Sequence, residues 1–213
     1  MDRYEQAREL AKMFGFIRLF DEVSKVNPSN DLPYHNWFHT CCMICNCMEG
    51  ALHYNLSYSE CHLLGVAALF HDFDHTGGRE HDSINIHRAL ASLNIYVEGS
   101  NLELKHIRAC ISVTQFPFDI EPVTIEQKII RDADLMQILE PEWYEHVILG
   151  LQAEMSIKNG PISTQDMLAG QVNFLFDHVP SKLFTEWAKQ KFESDVYRCR
   201  LEEISDLLRE ITQ

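Results

Sequence analysis

The sequence lacks the features of membrane and exported proteins. It contains no run of about 18 apolar residues, which a helix needs to cross a bilayer. It begins Met-Asp-Arg-Tyr-Glu-Gln, with charges where a secretory signal peptide has an apolar stretch. We therefore expect a cytoplasmic protein without a membrane partner. Hydrophobic residues make up 46% of the 213 positions, which excludes a disordered chain and suits one domain, 1–213.

Basic residues are scarce. The chain has 18 Lys and Arg against 32 Asp and Glu, a formal net charge of -14. Such a chain binds polymeric nucleic acid poorly, because that affinity comes mostly from cationic contacts to phosphates. It would also repel a small anion at long range. Any phosphate chemistry must therefore depend on local positive charge, for which a bound divalent cation is the obvious source.

The cysteines do not form a disulfide or zinc pattern. Their number, seven, is odd, and a cytosolic chain rarely keeps disulfides. Cys42 and Cys45 make a CxxC, but no second CxxC follows. We expect small buried thiols that pack one face of a helix, as at neighbouring Cys41 and Cys47.

No convincing alternation of apolar and polar residues predicts a strand, and no repeat, low-complexity stretch or linker appears. Capping boxes at Ser57–Glu60 and Thr124–Gln127 mark the starts of two helices. The pattern predicts an all-α fold, a single compact multi-helix domain. The other predicted helices cover about residues 3–26, 33–55, 81–94, 101–114, 141–158 and 163–178, and a last one begins at Pro180.

Three short motifs carry ionisable groups. The first reads Tyr34-His35-Asn36-Trp37-Phe38-His39. On a helix, His35 and His39 would share a face because they are four residues apart. Either could ligate a metal while the other handles a proton.

The second motif, His71-Asp72-Phe73-Asp74-His75, directly follows the apolar run Ala67–Phe70. The motif therefore lies at the end of a buried helix, where unpaired charge is costly. A metal ion removes that cost by taking the side chains as ligands. The alternative, a solvent-exposed helix terminus, does not explain why two His and two Asp gather there.

The third motif, Arg131-Asp132-Ala133-Asp134, follows Ile129-Ile130. We expect Asp132 to be an ordinary helix cap. Asp134 completes a set of two imidazoles and two carboxylates with His39, His71 and Asp72. Such a set leaves coordination positions open for water and suits Zn, Mn, Mg, Fe or Co. An open site of this kind supports hydrolysis of a phosphoester.

The order His, His-Asp, Asp resembles the HD superfamily of metal-dependent phosphohydrolases. "YHNWFH" and "HDFDH-T-G" resemble signatures of the class I cyclic nucleotide phosphodiesterases. Residues 170–174, continuing to "LFDHVPSKLFTEW", resemble that family's base-binding segment. The chain is shorter than those catalytic domains. Its stretch 76–82 looks more like that of small bacterial or phage HD proteins.

The resemblance implies a role for each matching residue. The metal ligands would be His39, His71, Asp72 and Asp134, with Asp72 bridging to a second ion. His35 would be the general acid that protonates the leaving 3′ oxygen, and His75 would lie at the metal-bound waters or the phosphate. Hydroxide generated at one or two divalent ions would attack phosphorus.

The implied substrate is a 3′,5′-cyclic nucleotide or a related cyclic nucleotide signal. The substrate-binding residues would be Gln171 at the base edge and Phe174 stacked on the base, although both could instead be ordinary helix-packing residues. Asn85, with Asp74, Arg79 and Asp82, is a further pocket candidate.

Two alternatives stay open. An HD-type 5′-nucleotidase or another phosphomonoesterase needs only the metal ligands. A non-catalytic nucleotide-binding protein of the same fold needs no open metal position. Trp37, Phe116 and Phe118 are expected to pack, although 114–118 could also line a pocket mouth. The sequence sets neither the native metal nor the oligomeric state.

Overall fold

The computed structural model of the protein describes residues 2–97 and 101–212. Across these residues the regular structure is helical and contains no strand, so the predicted all-α class is confirmed. A 3₁₀ turn covers Met136–Leu139, and π-helical segments cover Tyr144–Gly150 and Phe174–His178. The α-helices are α1 (Arg3–Met13), α2 (Ile17–Val26), α3 (Trp37–His53), α4 (Tyr58–Phe70), α5 (Asp82–Tyr96), α6 (Asn101–Ser112), α7 (Ile125–Asp134), α8 (Leu151–Asn159), α9 (Thr164–Asn173), α10 (Val179–Lys182), α11 (Glu186–Phe192) and α12 (Asp195–Thr212).

Helix α3 is the centre of the packing. It contacts α1, α4 and α7, and its small side chains let these helices approach closely. A Cβ at Gly50 would lie 2.8 Å from Ile129 and 3.1 Å from Trp187. All the cysteines of α3 are free and buried, so their predicted burial is confirmed, although Cys41 and Cys47 lie on different sides of the helix. Buried side chains form one cluster from Ala7 to Ile204, while the domain extent 1–213 stays a prediction.

The predicted helix over 3–26 is interrupted. Gly15 adopts φ 79°, a left-handed conformation that favours glycine and ends α1. Apolar spacing continues across this step, since Phe16 is buried and α2 begins at Ile17, and the periodicity therefore did not reveal the break.

The last two predicted helices are also divided. The π-helical segment Phe174–His178 follows α9, and Pro180 lies inside the short α10 and does not begin a long helix. The chain leaves helical geometry after Lys182, and Thr185 caps α11 by accepting a hydrogen bond from the Ala188 N–H. None of the helices that the structure describes is long and apolar enough to cross a membrane.

Helix α3 begins later than predicted. Asn36 is its N-cap and accepts a hydrogen bond from the His39 N–H at 3.1 Å. The N–H groups of Tyr34 and His35 donate to Glu154 Oε1 at 2.7 and 3.0 Å, and these residues stay outside the helix. His35 and His39 therefore do not share a helix face, and the spacing argument was wrong.

Candidate metal centre and substrate cavity

The structure brings together the four predicted ligands. His39 lies in the first turn of α3, His71 and Asp72 follow α4, and Asp134 ends α7. His39 Nε2 lies 3.2 Å from Asp72 Oδ2 and 3.3 Å from Asp134 Oδ1. His71 Nε2 lies 3.0 Å from Asp72 Oδ2, 4.0 Å from Asp134 Oδ1 and 3.1 Å from His39 Nε2.

These donor atoms fit a divalent cation. His39 Nδ1 is hydrogen-bonded to Gln137 Oε1, and His71 Nδ1 donates to the Ala68 carbonyl at 2.8 Å. Each Nδ1 contact turns the Nε2 of its ring toward the shared centre, where a metal ion would take the place of a proton, the arrangement usual for metal-binding histidines. Ligands about 2.0–2.2 Å from one ion lie roughly 3–4 Å apart, as these four do.

The electrostatics of the site also favour a cation. Burial alone would lower the pKa of His39, but hydrogen bonds to Asp134 and Asp72 outweigh it and raise that pKa to about 10. Burial pushes the pKa of Asp72 upward, but the neighbouring His71 and His35 hold it well below its usual value. The two carboxylates therefore concentrate negative charge where the imidazole lone pairs converge.

A second group of ionisable residues adjoins the metal ligands. His35 Nδ1 lies 2.5 Å from Glu154 Oε2, and the His35 ring stacks on His75 with centroids 3.6 Å apart. Burial lowers the pKa of His35, but Asp72 and the hydrogen bond to Glu154 raise it overall. Burial raises the pKa of Glu154, but His35 lowers it overall. His35 and Glu154 therefore form an ion pair with the proton on the imidazole.

Glu154 was missed by the sequence reasoning. It lies on α8, 119 residues after His35, and is 1% exposed. Its neighbours Gln152, Ala153 and Met155 have no pattern that distinguishes a buried carboxylate from an exposed one. Only the packing of α8 against the segment that carries Tyr34 and His35, before α3, identifies it.

The cluster around His75 includes two of the pocket candidates. Asn85 Nδ2 lies 2.7 Å from His75 Nε2, and Asn85 Oδ1 accepts hydrogen bonds from the Thr76 N–H and hydroxyl. Asp82 Oδ1 lies 3.7 Å from His75 Nε2, and its Oδ2 accepts from the Phe116 N–H at 2.6 Å. Both Asn85 and Asp82 line the cavity described below.

The other two pocket candidates lie elsewhere. Asp74 Oδ1 accepts a hydrogen bond from Arg88 Nη2, and the Arg79 guanidinium donates to the Thr76 carbonyl. Among the described residues that line the cavity, neither Asp74 nor Arg79 appears. The pocket hypothesis is therefore wrong for these two side chains, which instead stabilise the turn after α4.

A cavity of about 550 Å³ opens beside the metal ligands. Its wall includes Gln171 and Phe174 together with Leu135, Leu151 and other apolar side chains. Several carboxylates also face it, and no Lys or Arg of the described residues lines it. The acidic lining residues are Glu80, Asp82, Asp134, Glu154 and Asp166.

The mouth of the cavity is aromatic. Phe116, which is 55% exposed, and Phe118 both line it, so the expectation that they only pack was wrong and the pocket-mouth alternative is confirmed. The Arg131 guanidinium lies 4.0 Å from the centre of the Phe118 ring, a cation–π contact that stabilises the position of this ring. Trp37 does pack, against Phe20 at 4.9 Å.

The two carboxylates of the third motif, Asp132 and Asp134, make different contacts. Asp132 is fully buried and accepts hydrogen bonds from the Phe184 N–H, the Thr185 N–H and the Thr185 hydroxyl at 2.7–3.0 Å. It therefore holds Phe184 and the N-cap residue Thr185 in place before α11, and does not cap the start of its own helix. Asp134 points the other way because residues two apart lie on opposite sides of a helix.

Comparison with known families agrees with this geometry. The family model for 3′5′-cyclic nucleotide phosphodiesterases matches residues 34–146, just over half of the chain. The chain belongs to this family and is a hydrolase with a candidate divalent-metal site. The four ligands and His35 lie inside the matched range, whereas Glu154, Gln171 and Phe174 lie beyond it.

A solved structure, that of LmjPDEB1 from Leishmania in complex with IBMX, has a similar fold. The TM-score is 0.66 at 15% sequence identity, over 98% of this chain and 86% of that one. The likeness covers the α8–α12 region that the family model does not match. Comparison with curated proteins finds no match.

Proposed function

We propose that the protein hydrolyses a 3′,5′-cyclic mononucleotide to the nucleoside 5′-monophosphate. The observation that carries this proposal is the position of His35. Its ring is held by Glu154, stacks on His75, and faces a nucleotide-sized cavity beside the four metal ligands.

His39, His71, Asp72 and Asp134 would hold the ion. When bound, a divalent ion lowers the pKa of water and polarises a phosphoryl oxygen. The imidazoles would bind the ion through their Nε2 lone pairs. The carboxylates would bind it and balance its positive charge. A second ion bridged by Asp72 stays a prediction.

His35 would act as the general acid. Its Nδ1–H donates to Glu154 Oε2, and its Nε2–H is the proton available to the leaving 3′ oxygen. Although burial lowers the pKa of His35, Asp72 and the hydrogen bond to Glu154 raise it overall, which favours the protonated ring that a general acid needs. Glu154 also fixes the backbone of Tyr34 and His35 and so sets the direction of the ring.

The charge of the cavity favours a diester over a monoester. A cyclic phosphodiester carries one negative charge, whereas a phosphomonoester carries about 1.5–2 negative charges at neutral pH. With carboxylates and no Lys or Arg among the described lining residues, the more highly charged monoester is repelled more strongly. The same repulsion would promote release of the monophosphate product.

Gln171 and Phe174 would bind the base. The Gln171 side chain is 9% exposed at the cavity wall, and an amide can both donate to and accept from a purine edge. The Phe174 ring lines the same wall and offers a stacking surface. Asn85 would contribute indirectly through His75, and the IBMX-bound relative is consistent with a cavity for a planar heterocycle.

A substrate panel tests the proposal. Purified protein with Mn²⁺ or Mg²⁺ is incubated with 3′,5′-cyclic mononucleotides, cyclic dinucleotides and nucleoside 5′-monophosphates, and products are separated by chromatography. We expect turnover of the 3′,5′-cyclic mononucleotides that stops with EDTA. Phosphate release from monophosphates alone would support the phosphomonoesterase alternative, and binding without product would support the non-catalytic one.

A further inference from the structure

Two buried polar side chains attach the turn that carries Asp72 and His75 to a distant segment. Asn27 Oδ1 accepts a hydrogen bond from the Asp74 N–H at 2.9 Å. Ser29 Oγ lies 3.0 Å from the Asp72 carbonyl, and its single hydroxyl hydrogen is shared between this oxygen and Asn27 Oδ1. The Ser29 N–H and hydroxyl also lie 3.1 and 2.8 Å from Asn27 Oδ1, so the two side chains form one unit, which we refer to as the anchor pair.

The turn needs external support because its backbone is not that of a helix. Asp74 has φ 61°, a left-handed conformation that is unfavourable for a residue with a Cβ. On the outer side, Arg88 donates to the Asp74 carbonyl at 2.8 Å and to its carboxylate at 2.7 Å. On the inner side, Asn27 holds the Asp74 N–H. The strained residue is therefore fixed from both sides, as such residues must be to persist.

The anchor pair belongs to the same segment as two other site residues. Asn27 ends α2, and the chain from there leads through His35 into α3 and His39. Its hydrogen bonds therefore tie the segment carrying His35 and His39 to the turn carrying Asp72 and His75. The contacts between these two parts are short: 3.6 Å between the His35 and His75 ring centres and 3.2 Å from His39 to Asp72.

We propose that Asn27 and Ser29 are positioning residues of the metal centre, which set the distance between these two parts. The inference rests on the proposed function, because it assumes that the four ligands bind a divalent ion. Asn27 is 5% exposed and Ser29 1%, and neither lines the cavity. They act through the backbone of Asp72 and Asp74, and their loss should weaken metal binding without removing a ligand.

The test compares variants of one segment. Asn27→Ala and Ser29→Ala remove the anchor, and Asn30→Ala is the matched control because Asn30 Nδ2 donates to the Ser24 carbonyl, away from the turn. Protein stripped with EDTA is titrated with Mn²⁺ by calorimetry, and circular dichroism checks the fold. Groups that orient metal ligands change affinity by about 10–100-fold, so we expect Asn27→Ala to raise the dissociation constant about tenfold and Asn30→Ala to leave it within about twofold of wild type.

Asn27→Asp provides a rescue, since a carboxylate keeps the acceptor oxygen; it should restore most of the affinity that Asn27→Ala loses. If Asn27→Ala does not fold, the test uses Ser29→Ala, which removes one hydroxyl. The dissociation constant for Mn²⁺ should then rise in that variant. Wild-type affinity in the folded anchor variants would overturn this inference alone. Failure of the wild-type protein to bind Mn²⁺ would overturn the proposed function and the inference together.

Discussion

At the metal centre each imidazole is held by a second polar group, whereas the opposite wall of the cavity is held by apolar packing. Gln137, Ala68 and Glu154 fix the rings of His39, His71 and His35. That wall lies on α9 and on the π-helical segment Phe174–His178 that follows. In the proposed function the polar half sets the reaction, while this wall, outside the family match, would bind the base.

The largest expected effect separates two neighbouring carboxylates. Asp134→Asn should lower metal affinity and activity by more than about 100-fold, because it removes a ligand and not merely a group that orients one. Asp132→Asn, on the same helix, should instead lower thermal stability and leave metal binding near wild type, because Asp132 holds Thr185, the N-cap of α11. Metal titration and thermal unfolding of both variants check this. Equal metal loss in the two would contradict the assignment.

Removing the proposed general acid, His35, should give the next largest loss of activity. His35→Ala should lower kcat for a cyclic nucleotide by about 100-fold, the usual scale for a general acid. It should affect hydrolysis of bis(p-nitrophenyl) phosphate far less, because that leaving group needs no proton. Steady-state kinetics on both substrates provide the measurement. An equal loss on both would show that His35 serves the metal and not the leaving group.

The charge of Glu154 should control the pH profile. Glu154→Gln keeps an acceptor for the Tyr34 and His35 N–H groups but removes the charge that raises the pKa of His35. That pKa should fall, and the alkaline limb of the kcat profile should move to lower pH. The drop in kcat at neutral pH should be smaller than the about 100-fold loss expected for His35→Ala, because the imidazole is still present. An alkaline limb at the wild-type pH would contradict the role of Glu154.

On the apolar side, Phe174→Ala should raise KM about tenfold with little change in kcat, since stacking on a base contributes about 1–3 kcal/mol. Phe176→Ala is the matched control, because Phe176 lies on the same π-helical segment and is 54% exposed. Kinetics with a 3′,5′-cyclic nucleotide would distinguish the two. A fall in kcat alone would place Phe174 outside the base-binding wall.

The smallest effect is expected at the cysteines of α3. Burial raises the pKa of the Cys45 thiol to about 11 and raises that of Cys42 further, so neither is a thiolate at neutral pH. Replacing both by alanine should leave metal content and kcat unchanged and cost about 1–2 kcal/mol of stability through lost packing. Atomic absorption and denaturant unfolding test this. Loss of metal would instead indicate that Cys42 and Cys45 of the CxxC bind zinc.

The four proposed metal ligands converge as their motifs predicted, and three of them, His71, Asp72 and Asp134, follow buried apolar runs. Their role as ligands stays a prediction. The sequence did not predict residues whose place in the site depends on packing between elements that are distant along the chain. Glu154 contacts His35 only because α8 packs against the segment before α3. Gln137 contacts His39 only because the 3₁₀ turn packs against the start of α3. The helix interruption at Gly15 and the late start of α3 at Trp37 were not predicted, for a similar reason. Apolar periodicity does not register a single left-handed residue or a backbone held by a remote carboxylate.

In the proposed reaction, the bond between phosphorus and the 3′ oxygen is cleaved in a metal-dependent step. The most direct measurement is ³¹P NMR of a 3′,5′-cyclic mononucleotide incubated in ¹⁸O-labelled water with Mn²⁺-loaded protein, beside the Asp134→Asn variant. We predict a 5′-monophosphate carrying one ¹⁸O on phosphorus, formed by the wild type alone. A 3′-monophosphate, an unlabelled product or equal turnover by the variant would contradict the account.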